Sequence, residues 1–410
     1  MSETVGLVVI GAGQAGLAVS HELTELGIEH VVLEKGRIGQ TWRDRWESFC
    51  LVTPNWSVQL PGHPYDGDDL DGFMPKDEIV AYLERYSDRL GAPIREGVEV
   101  RSLARGADSN FVLETTAGQI QARTVVVCTG AYQRPHRPAG ASTVPGDVFA
   151  IDVEGYRSPS ALPPGRVLVV GSGQSGCQIA EELHEAGREV VVACGRAPWS
   201  PRRLGDRDLV WWIVETGFWD APLSSLRNPA DRLFANVLAT GHGGGHDLHL
   251  RTLRALGITL AGHFTGVQDG QVLFSGDLGE TVAWGDDRYA QLMELVRKTV
   301  REKGLTMPAI ASPAPFDDRA PEGLDLASFG AVIFAGGFRP DYRQWVRIPE
   351  AFDEPGFPLH QEGASLAAAG LYFVGVHFLR KRKSSLLYGV GEDATIVARS
   401  IADRQPAIRR

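Results

Sequence analysis

The sequence predicts an α/β protein built from two Rossmann-like dinucleotide-binding domains, the second inserted into the first. Three observations carry that expectation. A glycine turn occurs twice, as Gly11-Ala-Gly13-Gln14-Ala15-Gly16 and Gly171-Ser-Gly173-Gln174-Ser175-Gly176, with the first glycines 160 residues apart. Each turn follows an apolar run, Val8-Val9-Ile10 or Val167-Leu168-Val169-Val170, and opens a helical pattern. Past the second copy, the apolar runs Ala331 to Gly336 and Leu371 to Val376 precede a last helix near Glu392, so the tail is expected to return and complete the first domain.

The turn pattern alone carries little, since 48 glycines in 410 residues give roughly 0.6 chance matches to G-x-G-x-x-G. Context supplies the specificity. The first glycine permits the tight turn and the second lets backbone N–H groups approach a pyrophosphate. The third lets the helix lie close on the strand with its positive end toward the anion. After Gly16, Val19, Leu23 and Leu26 recur at helical spacing until Gly27; after Gly176, Ile179, Ala180, Leu183 and Ala186 do so until Gly187. Both stops fall 16 residues past the first glycine, which marks a true internal repeat.

The remaining elements follow in order. A strand ends Val31-Val32-Leu33-Glu34, and Gln40 to Asp71 is a long irregular stretch rich in Pro, Gly, Trp and Asp. Pro75 to Leu90 reads as an amphipathic helix, Val98 to Leu103 and Phe111 to Thr115 as strands, and Thr124 to Cys128 as a strand ending at Thr129-Gly130. The proline-rich runs Arg134 to Pro145 and Pro159 to Pro164 look like the two connections between domains. These divide the chain into 1–155 and 326–410 as the first domain and 156–325 as the second. The second domain carries Trp211, Trp212, Phe218 and Trp219, which could line an aromatic pocket but are more simply core, and Gly241-His-Gly-Gly-Gly-His246. Without acidic or cysteine partners at ligand spacing, that His/Gly run reads as a loop, and no metal is expected.

The two copies differ 23 residues past each first glycine. There the first holds Glu34, followed by Lys35, and a carboxylate in that place accepts hydrogen bonds from adenosine ribose hydroxyls. The second holds Cys194, followed by Gly195 and Arg196, so no acid repels a 2′-phosphate and a guanidinium could bind one. The first site suits FAD and the second suits NADPH, with Arg202 and Arg203 as further candidate cations.

Bulk properties agree. A net charge of −10 argues against nucleic acid, and no apolar stretch reaches the ~20 residues needed to span a bilayer. The N-terminus lacks a signal-peptide layout, and four cysteines without a C-x-x-C pair suit a cytoplasmic, reducing location. The densest basic run, Arg380-Lys-Arg-Lys383, reads first as a solvated loop, with positive charge near a reduced flavin as the alternative. Self-association into a homodimer stays open.

These residues resemble the class B flavoprotein monooxygenases: flavin-containing monooxygenases, plant indole-pyruvate monooxygenases and bacterial relatives. The carriers are both glycine turns, Ile38-Gly-Gln-Thr41-Trp42-Arg43, Leu51-Val-Thr-Pro-Asn55, Val125-Val-Val-Cys-Thr129-Gly130 and Val332-Ile-Phe-Ala-Gly-Gly-Phe-Arg-Pro-Asp341. The resemblance implies flavin contacts at Thr41, Trp42, Arg43, Thr129, Gly130 and Asn55, an adenine contact at Val100, a further cofactor contact at Asp393, and a second crossing between domains at Ala331 to Gly337. One departure stands out. The family signature F-x-G-x-x-x-H-x-x-x-(Y/F) should put histidine where Asp152 stands, although Tyr156-Arg157-Ser-Pro159 is present, and the tryptophan form typical of Baeyer-Villiger enzymes is absent.

The activity implied is NADPH-dependent monooxygenation of a small molecule by O₂ through a C4a-(hydro)peroxyflavin, at nitrogen or sulfur, with Asn55 as the candidate catalytic hydrogen-bond donor. The alternatives are an NAD(P)H oxidase or reductase without productive oxygenation, to which Asp152 points, and a Baeyer-Villiger enzyme. A disulfide reductase would need paired redox cysteines that the spacing does not offer.

Overall fold

A mixed sheet and a parallel sheet, each sandwiched between helical or loop layers, form the protein in a computed structural model that describes residues 3–106, 110–234 and 236–404. The first sheet has nine strands. Its central strand Glu3–Ile10 is parallel to Val31–Leu33 on one side and to Gly118–Val127 on the other, and Leu371–Phe373 from the tail lies beyond Gly118–Val127. Val100–Arg105 and Phe111–Thr115 form an antiparallel extension from the same strand. Helices Gln14–Glu25, Lys76–Leu90 and Val390–Arg404 cover one face with a core that includes Leu17, Leu23, Tyr82, Tyr86 and Val397. The expected return of the tail therefore holds.

The second sheet is a five-stranded parallel array in the order 150–152, 329–334, 166–170, 190–193, 259–261. Its strands are continuous apolar runs because both faces are covered. This topology corrects the domain limits drawn from the sequence. Ala150–Asp152 and Phe329–Phe334 pair with each other inside the second sheet, so that domain begins before residue 156 and ends after 325. The chain crosses between domains at Arg134–Pro135 and returns at Phe338–Arg339, and these two segments form one short antiparallel ladder. The second crossing thus falls after Phe334, at the far end of the Ala331 to Gly337 span. Pro159 to Pro164 is not a connection; it lies within the second domain just before Arg166–Val170.

The helix Leu278–Lys303, absent from the sequence reading, packs Val282, Tyr289, Leu292, Met293 and Val296 into the second domain's core. Trp212 and Trp219 are buried in that same core, which settles them as packing residues. Among the described residues no helix is long and apolar enough to cross a membrane.

Burial lowers the pKa of His249, His360 and His377 to about 4 in each case. These rings stay neutral in the fold, whereas an unfolded histidine titrates near 6.5. Below that value the unfolded chain binds more protons, so stability is full above about pH 6.5 and falls toward pH 4, by up to ~1.4 kcal/mol per pH unit for a group such as the buried His249. Asp277, held down to about 2 by its hydrogen bonds to Ser275 and His263 against the opposing effect of burial, stays ionised across that window. Thermal melts should therefore show a lower Tm at pH 5 than at pH 7; a Tm constant over this range would contradict the assignment.

Candidate functional site

The site begins with the two glycine turns, which superimpose contact for contact. Gly11 donates to Leu33 and Gly171 to Ala193, each joining the turn to the next strand at 2.7 and 2.9 Å. Leu17 donates to Gly13 and Cys177 to Gly173, opening the two helices at 3.0 Å each. A methyl group on Gly16 would lie 1.8 Å from the Gly11 carbonyl oxygen, and one on Gly176 would lie 1.9 Å from that of Gly171. Only hydrogen fits there, so the helix rides directly on the strand with its N-terminal amides over the strand end. A methyl on Gly13 would meet no protein atom within 4 Å. Space above the second glycine, beside free helix amides, is the cradle a pyrophosphate requires.

Around the first turn, Glu34 is buried, and its carboxylate accepts from the backbone N–H of Ala12 and of Gly36, both at 2.8 Å. It stands at the mouth of the turn with lone pairs left for ribose hydroxyls. Lys35 beside it is exposed. Gln14 accepts from the Trp42 indole at 3.0 Å and donates to the Ser385 carbonyl at 3.2 Å, fixing Trp42 and the tail loop to the head of the helix around Ala15. Gly39 donates to the Ala12 carbonyl, which keeps the short helix Gln40–Arg43 and its exposed Thr41 beside the turn. Thr129 and Gly130 follow Cys128, whose carbonyl abuts Gly11, and Val98 donates to Glu34, aligning the strand that begins at Val100. At the start of the last helix, Asp393 pairs with Arg380 at 2.9 Å, while its Oδ2 is buried without a hydrogen-bond partner among the described residues. The open cradle and the orphaned acceptor both fit FAD.

The second turn keeps the geometry and changes the charge. Ser172 takes the bridging place of Glu34's carboxylate, its hydroxyl donating to the Gly195 carbonyl and accepting from the Gly195 N–H. Cys194 is buried, and burial raises its thiol to about 12, so it is neither an acid nor a thiolate. Arg196 is exposed and has no hydrogen-bond or ion-pair partner among the described residues. Gln174 repeats Gln14's role by holding both backbone groups of Ala239, and Ser175 opens the helix beside it. Neutral turn and free guanidinium fit NADPH.

Several sequence expectations are met differently. Arg202 does not face a 2′-phosphate; it is buried, paired with Asp208 at 2.7 Å, donates to the Val52 and Thr240 carbonyls, and lies over the Phe73 ring. Since Val52 and Phe73 belong to the first domain, Arg202 bolts the domains together. Arg43 likewise is committed, to Glu84 and to the Ile38 carbonyl. Asn55 donates to the Asp69 carbonyl at 2.9 Å and accepts from Met74 N–H at 2.7 Å, so both ends of its amide staple the 55–74 loop. Asp152 grips Arg137 with both oxygens, at 2.7 and 3.0 Å, tying the edge of the second sheet to the first crossing. His242 and His246 are held by Glu185 and Glu181, and no group of residues able to hold a metal occurs among the described residues.

Reasoning from sequence missed the second seam between the domains. Leu223 donates to Arg380, Arg382 to Ala221 and Lys383 to Trp219, so segment 219–223 runs antiparallel to 380–383. Lys381 and Lys383 both pair with Asp220 and Glu392. The basic run is therefore a clamp between domains, and its carboxylate partners Asp220 and Glu392 lie too far from each other in the sequence to have signalled it.

Two turns of one design, one acid-flanked and one cation-flanked, define a two-dinucleotide oxidoreductase. The chain matches the family described as pyridine nucleotide-disulphide oxidoreductase over residues 8–213, and it belongs to that family. It is 31% identical to an uncharacterized CzcO-like oxidoreductase of Geobacillus kaustophilus, over 98% of this chain and 99% of that protein. It is 27% identical to the rice indole-3-pyruvate monooxygenase YUCCA4, over 97% of this chain and 88% of that one. A flavin-containing monooxygenase from Stenotrophomonas maltophilia has the same fold, with a TM-score of 0.67 at 18% identity over 98% of this chain and 99% of that one. The chain is thus a flavin-dependent oxidoreductase of the monooxygenase type, using FAD and NADPH.

Gly13→Ala should leave the Tm of flavin-free protein within ~2 °C while weakening FAD binding about ten-fold or more, whereas Gly16→Ala should cost about 3 kcal/mol of stability, the upper range for overpacking. Equal effects of the two substitutions on melting would refute the cradle. Arg196→Gln should raise the KM for NADPH about ten-fold with little change for NADH, as loss of a charge-assisted phosphate contact requires; a parallel change for both nucleotides would remove Arg196 from that role.

Proposed function

We propose that the protein is an NADPH-dependent monooxygenase that inserts one atom of O₂ at a nitrogen or sulfur of a small molecule. The supporting observation is that the domains carrying the two nucleotide turns are joined along two seams, while all four cysteines are free. When bound, the flavin supplies oxygen activation and the dihydronicotinamide supplies electrons. The chain's own task is to orient the two nucleotides and keep water from the space between them.

Three contacts serve that task. Arg202 joins loop 52–73 to the second domain, the 219–223 and 380–383 segments close a further seam, and Asn55 acts as a positioning residue by holding the 55–74 loop together. The proposed nucleotide contacts are the two turns, Glu34, Arg196 and Asp393. Transfer of electrons to a disulfide is disfavoured: burial pushes the thiols of Cys128 and Cys177 far up and that of Cys50 up as well, so none is a ready thiolate.

The Asp152–Arg137 pair favours a second reading, an NADPH oxidase, because it replaces the family histidine with an ion pair fixing the crossing. The two readings separate in one assay. With the FAD-loaded enzyme, NADPH oxidation in the presence of a soft nucleophile such as thioanisole should release less H₂O₂ per NADPH than without it, and sulfoxide should account for the difference. Peroxide yields that match NADPH consumption for every amine and sulfide tried would establish the oxidase.

A further inference from the structure

Loop 375–389 runs beside the flavin turn. A methyl on Gly375 would lie 2.6 Å from the Ala15 side chain, and the Ser385 carbonyl accepts from Gln14, so both ends of the loop are pinned to the head of the first helix. Between the pins lie four cations. Arg380 pairs with Asp393 and Glu362, and Lys381 and Lys383 each pair with Asp220 and Glu392.

Arg382 is the exception. It has no ion-pair partner among the described residues, and its Nε is buried without a hydrogen bond. Its guanidinium is held between two aromatic rings, 4.2 Å from the centroid of Phe218 and 4.7 Å from that of Phe378. Burial lowers its pKa to about 10, which still leaves it charged at neutral pH. Phe378 adopts φ +54°, a left-handed conformation rare for an aromatic residue, and so delivers one plate of the sandwich at a cost in backbone strain. Beside it His377, kept neutral by burial and by the nearby Arg382 and Arg232, supplies no counter-charge.

We propose that Arg382 is the recognition group for a carboxylate on the substrate, which meets the open edge of the guanidinium while Phe218 and Phe378 cover its two faces. The inference rests on the flavin-enzyme reading above. A planar guanidinium with blocked faces offers only its in-plane donors, and these match the two oxygens of a carboxylate. A half-buried cation without a counter-ion gains more from an anion than a solvated one does. Phe218 comes from the second domain and Phe378 from the first, so the sandwich exists only where the domains meet, which is where a substrate must enter.

The test titrates the visible spectrum of the FAD-loaded enzyme with phenylacetate and with its neutral counterpart phenylacetamide, for the unmodified protein, Arg382→Met and Arg382→Lys. Phenylacetate should bind the unmodified enzyme at least ten-fold more tightly than the amide, the Met variant should lose that preference, and the Lys variant should retain part of it. Equal affinity for the two probes, or no spectral response to either, overturns the proposal without recourse to a variant. A Met variant that keeps the preference also overturns it, including one that shifts the flavin's reduction potential and so assigns the charge to the flavin. Protein that fails to take up FAD would instead remove the enzyme reading itself.

Discussion

A single close contact, made twice, governs this molecule: the third glycine of each turn against the carbonyl of the first. Because no side chain fits there, each helix is pressed onto its strand and its unpaired N-terminal amides open over the sheet's carboxyl edge. Once that geometry exists, chemistry is chosen by what flanks it. In the first copy a carboxylate clamps the turn to the following loop; in the second a serine hydroxyl makes the same clamp without charge. The same backbone can then hold two different nucleotides, because the discrimination lies in side chains rather than in shape.

The two sites are useful only if they face each other across a dry space, and the contacts between domains are placed accordingly. Arg202 reaches from the second domain to backbone carbonyls of both domains and stacks on Phe73. Its burial explains why it is not a nucleotide ligand: Nε is committed to the Asp208 carboxylate and Nη1 to two backbone carbonyls, inside the seam rather than beside the second turn. Gln14 and Gln174 do related work at shorter range, each using both ends of an amide to hold a neighbouring loop to its turn.

What could be read from the sequence was local. The turns, their strands and their helices follow from periodicity within about 25 residues, and the charge difference between Glu34 and Cys194 is visible by spacing alone. The domain limits were not, because Ala150–Asp152 and Phe329–Phe334 are short runs whose identity comes from pairing with each other across 180 residues of sequence. Helix Leu278–Lys303 was hidden by Gly279 and Gly285, which interrupt an otherwise clear heptad-like apolar spacing. For Arg202, Asn55 and Arg382 the residue type was informative and the partner was not; their roles depend on carbonyls and rings from distant segments, which leave no periodic trace.

The crossing ladder has a mechanical consequence. Arg134–Pro135 and Phe338–Arg339 lie side by side, so both covalent links to the inserted domain leave the first domain at one place, while the Arg202 and 380–383 seams hold it elsewhere. Arg134 stands directly opposite Arg339, and like charges in that register push apart. The paired links are thus held together against their own charge, and dissolved salt, by screening that repulsion, eases the strain on the crossing.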